Sequence, residues 1–290
     1  MQYTIFRKTF GTKQIIKFCE FKTDNPISDI IWVEDLGIVY TSNNILGLIS
    51  VDGEHFDKWK GDIDSDSPKD GSNPYFGYLS GLSYCSKNKK IFVGEDGGRD
   101  IRVIDVRDNY TSSLVKGNSR VMIDNTLRKI GKNTEVYISV DKRRNVLLAY
   151  PLIRKCFYFS NCELKHVLGD GKCRFANGSD VFCTSIGNPS GVVCNESEFY
   201  IADSCCGLIR KFDGKKISVL CGKPNEPILK SPSKLLIQKN SLSILCSNSI
   251  KMFSFSTGEL GKGSAYESDK ILNITNDDSN GLYILEGVNA

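Results

Sequence analysis

One short pattern recurs six times along this chain, and no single copy of it can bury its own apolar surface. The clearest copy spans 188–222 and reads NPSGVVCNESEFYIADSCCGLIRKFDGKKISVLCG. Its apolar runs are bounded by Gly, Pro, Asn and Asp, the mark of short strands joined by tight hairpins. A turn at Asn188-Pro189-Ser190-Gly191 leads into Val192-Val193-Cys194, and a polar turn from Asn195 to Ser197 leads into Phe199-Tyr200-Ile201-Ala202. Ser204 to Gly207 turn into Leu208 to Phe212, and Asp213-Gly214, the strongest two-residue hairpin signal, precedes Ile217 to Cys221. The unit is a four-stranded antiparallel meander. Phe199 to Ala202 is apolar on consecutive residues, so both faces of that strand need cover that one small sheet cannot give.

Copies of the unit supply the cover. The second strand is echoed by Gly37 to Thr41, Lys90 to Glu95, Asn145 to Ala149, Leu242 to Cys246 and Gly281 to Leu285, and each has an apolar run before it. Clear third strands follow at Leu48 to Val51, Ile101 to Ile104 and Ile250 to Phe253, with a less regular one at Cys156 to Phe159. The sixth copy runs out of chain after Leu285, while Tyr3 to Phe6 and Gln14 to Phe18 form two strands without partners. Pairing these ends in one sheet predicts an all-β fold, a six-bladed β-propeller of four-stranded antiparallel blades closed by the N- and C-terminal strands. The blades fall at about 25–62, 78–110, 134–170, 188–222, 231–260 and 270–290 with 1–20, within a single domain, 1–290.

The fragment NPSGVV, FYIADS, GLIRKF resembles an NHL repeat, with its Pro-x-Gly-Val turn, its strand ending in Ala-Asp and its apolar-Arg strand. Ser80 to Asp105 keeps the same order in GLSY, IFVGED and DIRVID. Gly81, Glu95 and Arg102 in one copy and Gly191, Asp203 and Arg210 in the other are the structural repeat positions. In each copy an acid is followed seven residues later by an Arg, which a hairpin brings close across strands in a structural ion pair. The resemblance implies a protein-protein interaction scaffold that binds through blade-connecting loops. It also implies two alternatives: a calcium- or zinc-dependent hydrolase or lyase with a central-channel site, and an RNA-binding module.

Composition narrows these classes. The formal charge is 38 − 34 = +4, too mild to demand a nucleic-acid partner. No apolar run is long enough to span a bilayer, and Met1 to Phe18 carries Arg7, Lys8, Lys13 and Lys17 in place of a signal-peptide core. We therefore expect a cytoplasmic monomer without membrane contact. The alternative is the secretory pathway, given 11 Cys and Asn-x-Ser/Thr sequons at Asn109, Asn177, Asn195 and Asn273. In a reducing compartment most of the cysteines are thiols.

Four groups of residues invite a functional reading. Cys156, Cys162, His166, Cys173 and Cys183 have zinc-ligand chemistry, but their spacing lacks the close Cys pairs of structural zinc sites, which favours thiols; the vicinal Cys205-Cys206 lies in a turn. Asp62, Asp64 and Asp66 alternate as in the first half of a calcium loop, but Ser67 and Asn73 stand where that loop needs Gly and Glu. The expectation is a solvated, mobile connection and no cofactor, with calcium the alternative. Lys142, Arg143 and Arg144 with Arg128 and Lys129 would form a phosphate or acidic-peptide patch if they converged; Lys58-Trp59-Lys60 is read, like most of the basic groups, as a solvated turn. With only His55 and His166 available, a multi-histidine zinc centre of the amidating-lyase kind is not supported. The long connections Trp59 to Gly77 and Arg107 to Asn133 are the expected binding or mobile elements.

Overall fold

Gly281–Val288, the strand at which the sixth repeat ends, finds its missing partner at the other end of the chain. In the computed structural model it pairs antiparallel with Gln2–Thr9, from Gln2 opposite Val288 to Thr9 opposite Gly281. Ile271–Asn276 lies on its other side and Ile15–Lys22 forms the outer edge. The structure describes residues 1–10, 12–62, 68–97, 100–115, 134–161, 163–174, 185–224, 228–277 and 279–288. Six antiparallel sheets of the predicted kind make up the fold, a six-bladed β-propeller, with a single 3-10 turn, Ser86–Asn88, as the only helical element among the described residues.

The chain divides into two compact units. One, 1–134 with 270–290, holds the terminal sheet, the first blade (Asp29–Val33, Gly37–Ser42, Ile45–Ser50, His55–Gly61) and the second (Leu79–Cys85, Lys90–Glu95, Asp100–Asp105, Tyr110–Val115). The other, 135–269, holds the third blade (Tyr137–Val140, Val146–Tyr150, Lys155–Ser160, Glu163–Leu168) and the fourth (Pro189–Asn195, Glu198–Asp203, Leu208–Phe212, Ile217–Cys221). Its fifth blade comprises Leu235–Gln238, Ser241–Leu245, Ser249–Ser254 and a split outer strand, Glu259–Leu260 and Tyr266–Glu267, both pieces pairing with Ser249–Ser254.

Strand alternation explains why the second strands are apolar on consecutive residues. Phe199 and Ile201 enter a core with Leu147, Ala149 and Phe212 of the third and fourth blades, whereas Tyr200 and Ala202 enter another with Leu242, Ile244 and Phe253 of the fifth. Likewise Ile38 and Tyr40 pack with Tyr3, Ile5 and Leu285, and Val39 packs with Leu82, Ile91 and Val93. Each Val, Leu, Ile or Phe side chain among these contributes about 1.5–3 kcal/mol on burial. Close approach of the inner strands also sets residue size. A Cβ on Gly191 would lie 1.7 Å from the Ser233 carbonyl oxygen, so only Gly lets the fourth and fifth blades meet there. Gly81 occupies the matching register shift of the second blade.

Three local details differ from the sequence reading. Pro189 and Ser190 belong to the first strand of the fourth blade, where Pro is tolerated as the leading residue. Asp213-Gly214 is part of a four-residue loop with Phe212 opposite Ile217, because the Asp213 carboxylate accepts the Lys215 and Lys216 N–H groups. The second blade runs on to Val115, beyond the expected boundary at 110.

Removing 1–22 deletes half of the terminal sheet and with it the buried Tyr3, Ile5 and Phe21. The loss is comparable to the total stability of a domain, about 5–15 kcal/mol, so urea unfolding of the truncated chain is expected to lose its cooperative transition. In the same core the Tyr40 hydroxyl is 2.7 Å from His55 Nε2, and the His55 ring lies 4.4 Å from that of Phe21. Burial lowers the His55 pKa, with Asp57 opposing. Below about pH 6.5 the unfolded chain therefore takes up the proton first, and stability falls as pH drops through that value towards the folded pKa. Denaturation midpoints across this range should show a shallower acid slope in His55→Gln.

Candidate functional site

Glu95 ends the second strand of the second blade, and Arg102 sits on the third, opposite Val93. Both side chains are 1% exposed, with Arg102 Nη1 3.1 Å from Glu95 Oε2. The carboxylate also accepts the Gly77 N–H, and burial pushes its pKa up against the pull of Arg102 and that N–H. The guanidinium reaches further into the connection from the first blade. Its Nη1 donates to the Tyr75 carbonyl at 3.1 Å, and Nη2 donates to the Lys69 carbonyl at 2.7 Å and to Asp70 Oδ1 at 2.9 Å. Asp70 Oδ1 is also held by the Ser113 hydroxyl.

The fourth blade repeats the device. Asp203 and Arg210 are buried and 3.5 Å apart; Asp203 accepts the N–H groups of Gly187, Asn188 and Cys206, while Arg210 Nη2 donates to the Ser185 carbonyl. In both blades the carboxylate catches the backbone that leads into the first strand, and the Arg catches carbonyls just upstream. A Cβ at Gly77 would meet Asp96 Oδ1 at 2.3 Å, and one at Gly187 would meet Asp203 Oδ1 at 2.9 Å, so each glycine admits a carboxylate to the backbone. The expected structural ion pairs are thus present, and each anchors a connection as well as a hairpin.

In the second blade this anchoring builds a shaped element. The sequence predicts a solvated, mobile connection, but residues 68–77 are tied down. Lys69 and Tyr75 exchange backbone hydrogen bonds, and Gly71 does the same with Thr111 of the outer strand. Between this arm and the strand His55–Gly61 lies a cavity of about 260 Å³, with Trp59, Lys60, Asp62, Asn73, Pro74 and Tyr75 in its walls. Lys58-Trp59-Lys60, expected in a turn, is on that strand. The Lys60 ammonium donates to the Ser72 carbonyl at 3.2 Å and to that of Asn109 at 2.9 Å, and sits 5.4 Å from the Trp59 ring centroid. Burial lowers its pKa, with the charge of Asp108 opposing. Lys69 stands over the Tyr75 ring at 5.6 Å.

The other predicted residues do not gather into one site. Asp64, Asp66, Arg128 and Lys129 lie outside the described residues, as do Cys162 and Cys183. Asp62 pairs with Lys58 at 3.4 Å. Among the described residues no three His, Cys, Asp or Glu converge as metal ligands. Lys142, Arg143 and Arg144 occupy the turn after Tyr137–Val140, where Asp141 accepts the Arg143 and Asn145 N–H groups, and Lys142 is paired with Glu196 at 2.8 Å. Cys173, in the connection after Glu163–Leu168, and Cys205, in a fourth-blade turn, form a disulfide, a pairing the sequence does not announce. Cys19, Cys85, Cys156, Cys194, Cys206, Cys221 and Cys246 are thiols, and desolvation pushes the Cys206 thiol up to about 11.

Neither a family model nor a curated protein matches the chain. Solved structures do. A nidogen/laminin complex aligns with a TM-score of 0.57 at 12% identity, covering 99% of this chain and 98% of that one. Selenomethionine-substituted virginiamycin B lyase from Staphylococcus aureus aligns at 0.55 and 12% identity, over 95% of this chain and 85% of that one. The WD40 β-propeller domain of Doa1 aligns at 0.50 and 14%, over 88% and 74%. At such identities the likeness establishes the β-propeller fold and nothing of activity.

Arg102→Met removes one member of a buried pair and breaks its bonds to two carbonyls and Asp70 of the arm. A loss of about 3–5 kcal/mol is expected from stranding the Glu95 carboxylate. Limited trypsin digestion should then cut after Lys69 in the variant and leave that bond intact in the parent.

Proposed function

We propose that this chain is an NHL-like β-propeller serving as a protein-binding module, and that the arm at 68–77 with its cavity is where a protein partner docks. The observation that carries this reading is the Arg102 clamp, which pre-organises the arm around two aromatic side chains, Trp59 and Tyr75, flanked by Lys58, Lys60 and Lys69. Aromatic anchors on a rigid support are the common energetic centre of protein interfaces, because little conformational freedom is lost on binding. The likenesses to a nidogen/laminin complex and to a lyase are of equal quality, so they support the shared fold and do not choose between binding and catalysis.

A photo-crosslinking residue at the exposed Asn73, with a second at Lys215 in the fourth-blade turn as control, tests the proposal in native extract. We expect protein adducts specific to position 73 that disappear in a Trp59→Ala, Tyr75→Ala background. Adducts that survive those substitutions, or that form equally at 215, would remove the arm from consideration. Calcium- or zinc-dependent turnover by the purified chain would replace the binding reading with an enzymatic one.

A further inference from the structure

The fold buries the Lys60 ammonium with no described carboxylate in ion-pair contact, and Asp108 acts on it only through its charge at longer range. The Lys60 side chain is among the buried polar groups, at 4% exposure, yet its partners are two neutral carbonyls and the Trp59 ring. Among the described residues no carboxylate lies within ion-pair distance of Lys60. The fully buried arginines are treated differently, since Arg102 has Glu95 and Asp70, and Arg210 has Asp203. Lys8, also buried and bound to the Thr12 carbonyl, lies away from the cavity, whereas Lys60 lines it. A buried ammonium costs several kcal/mol in desolvation unless an opposite charge meets it, and two carbonyls occupy only two of its three N–H donors.

Resting on the protein-binding reading above, we propose that this cavity is a subsite for one carboxylate of the docked partner, which pairs with Lys60 while an adjacent planar side chain lies along Trp59 and Tyr75. The size of the space selects the ligand class. At about 260 Å³ it falls below the roughly 300–1,000 Å³ of pockets that enclose a whole small-molecule ligand, and it suits one residue of a chain. Charge selects further. The Asp62 carboxylate in the wall, held by Lys58, disfavours a dianion such as phosphate and leaves a monoanion as the better match. A bound carboxylate adds to the charge of Asp108 in opposing the burial that lowers the Lys60 pKa, so affinity falls as pH rises through that pKa. The carboxylate can come from an acidic side chain or from a chain terminus.

The two sources are separable in the full chain carrying Trp32→Phe, which leaves Trp59 as the sole indole. Trp59 fluorescence is followed while adding N-acetyl-Asp-Phe-amide, N-acetyl-Gly-Phe with a free carboxyl, N-acetyl-Asn-Phe-amide, or inorganic phosphate. One of the carboxylate peptides should saturate at least about tenfold more tightly than the Asn peptide, in line with a charge-assisted hydrogen bond. Which one does so identifies the source. Lys60→Met should abolish that preference, and thermal unfolding shows whether the variant is folded; if it is not, the Asp-against-Asn comparison in the Lys60 chain decides. Equal responses to the Asp, Asn and free-carboxyl peptides, or none, would overturn the carboxylate subsite, and tighter binding of phosphate would reassign it to a phosphate-bearing partner. Adducts at position 73 that persist when the peptides fail would leave the docking arm standing without its carboxylate.

Discussion

Each blade depends on a second strand that is buried on both faces, which no isolated four-stranded sheet can satisfy. Phe199 and Ile201 point to one neighbour while Tyr200 and Ala202 point to the other, so the strand is stable only between two further sheets. The same demand makes the terminal sheet necessary, since Gly281–Val288 is buried along most of its length and needs Gln2–Thr9 beside it. Stability is therefore shared between neighbours, and the connections that carry the chain from one blade to the next are left to vary.

Those connections are not left loose where the acid–Arg pair is present. In the second and fourth blades a carboxylate at the end of the second strand binds the N–H of the glycine that leads into the first, and the Arg binds upstream carbonyls. A buried ion pair is a poor source of net stability because desolvation offsets the attraction. Its position is better explained by what else it holds. Arg102 ties two carbonyls and one carboxylate of a single arm, which turns an irregular stretch into a fixed surface.

Much of this was legible in the sequence, for identifiable reasons. Strand periodicity revealed the blades, and the seven-residue spacing of Glu95 with Arg102 and of Asp203 with Arg210 marked the ion pairs, because a hairpin converts that spacing into contact. The other half of each clamp was not legible. Backbone carbonyls at Lys69, Tyr75 and Ser185 are acceptors whatever their side chains, so no residue type announces them. The bridge between Gly71 and Thr111 is likewise made of backbone alone. The charge of Lys58-Trp59-Lys60 suggests a turn, yet the fourth strand of a blade is its outer edge, where Lys58 stands exposed next to a half-buried Trp59 and a buried Lys60. The cavity joins two such unreadable features, an edge strand and an arm held through its backbone.

The distribution of buried charge then distinguishes scaffold from site. The two fully buried arginines have carboxylate partners, Arg102 with Glu95 and Asp70 and Arg210 with Asp203. Lys60, like Lys8, is held by neutral carbonyls, but it stands in a wall that also carries Trp59 and Tyr75. A residue serving packing alone could be replaced by an apolar side chain of similar shape without a desolvation cost. In the proposed subsite the ammonium is met by the partner's carboxylate. The rigidity supplied by Arg102 works to the same end, because a pre-formed arm spends little of the partner's binding energy on ordering itself.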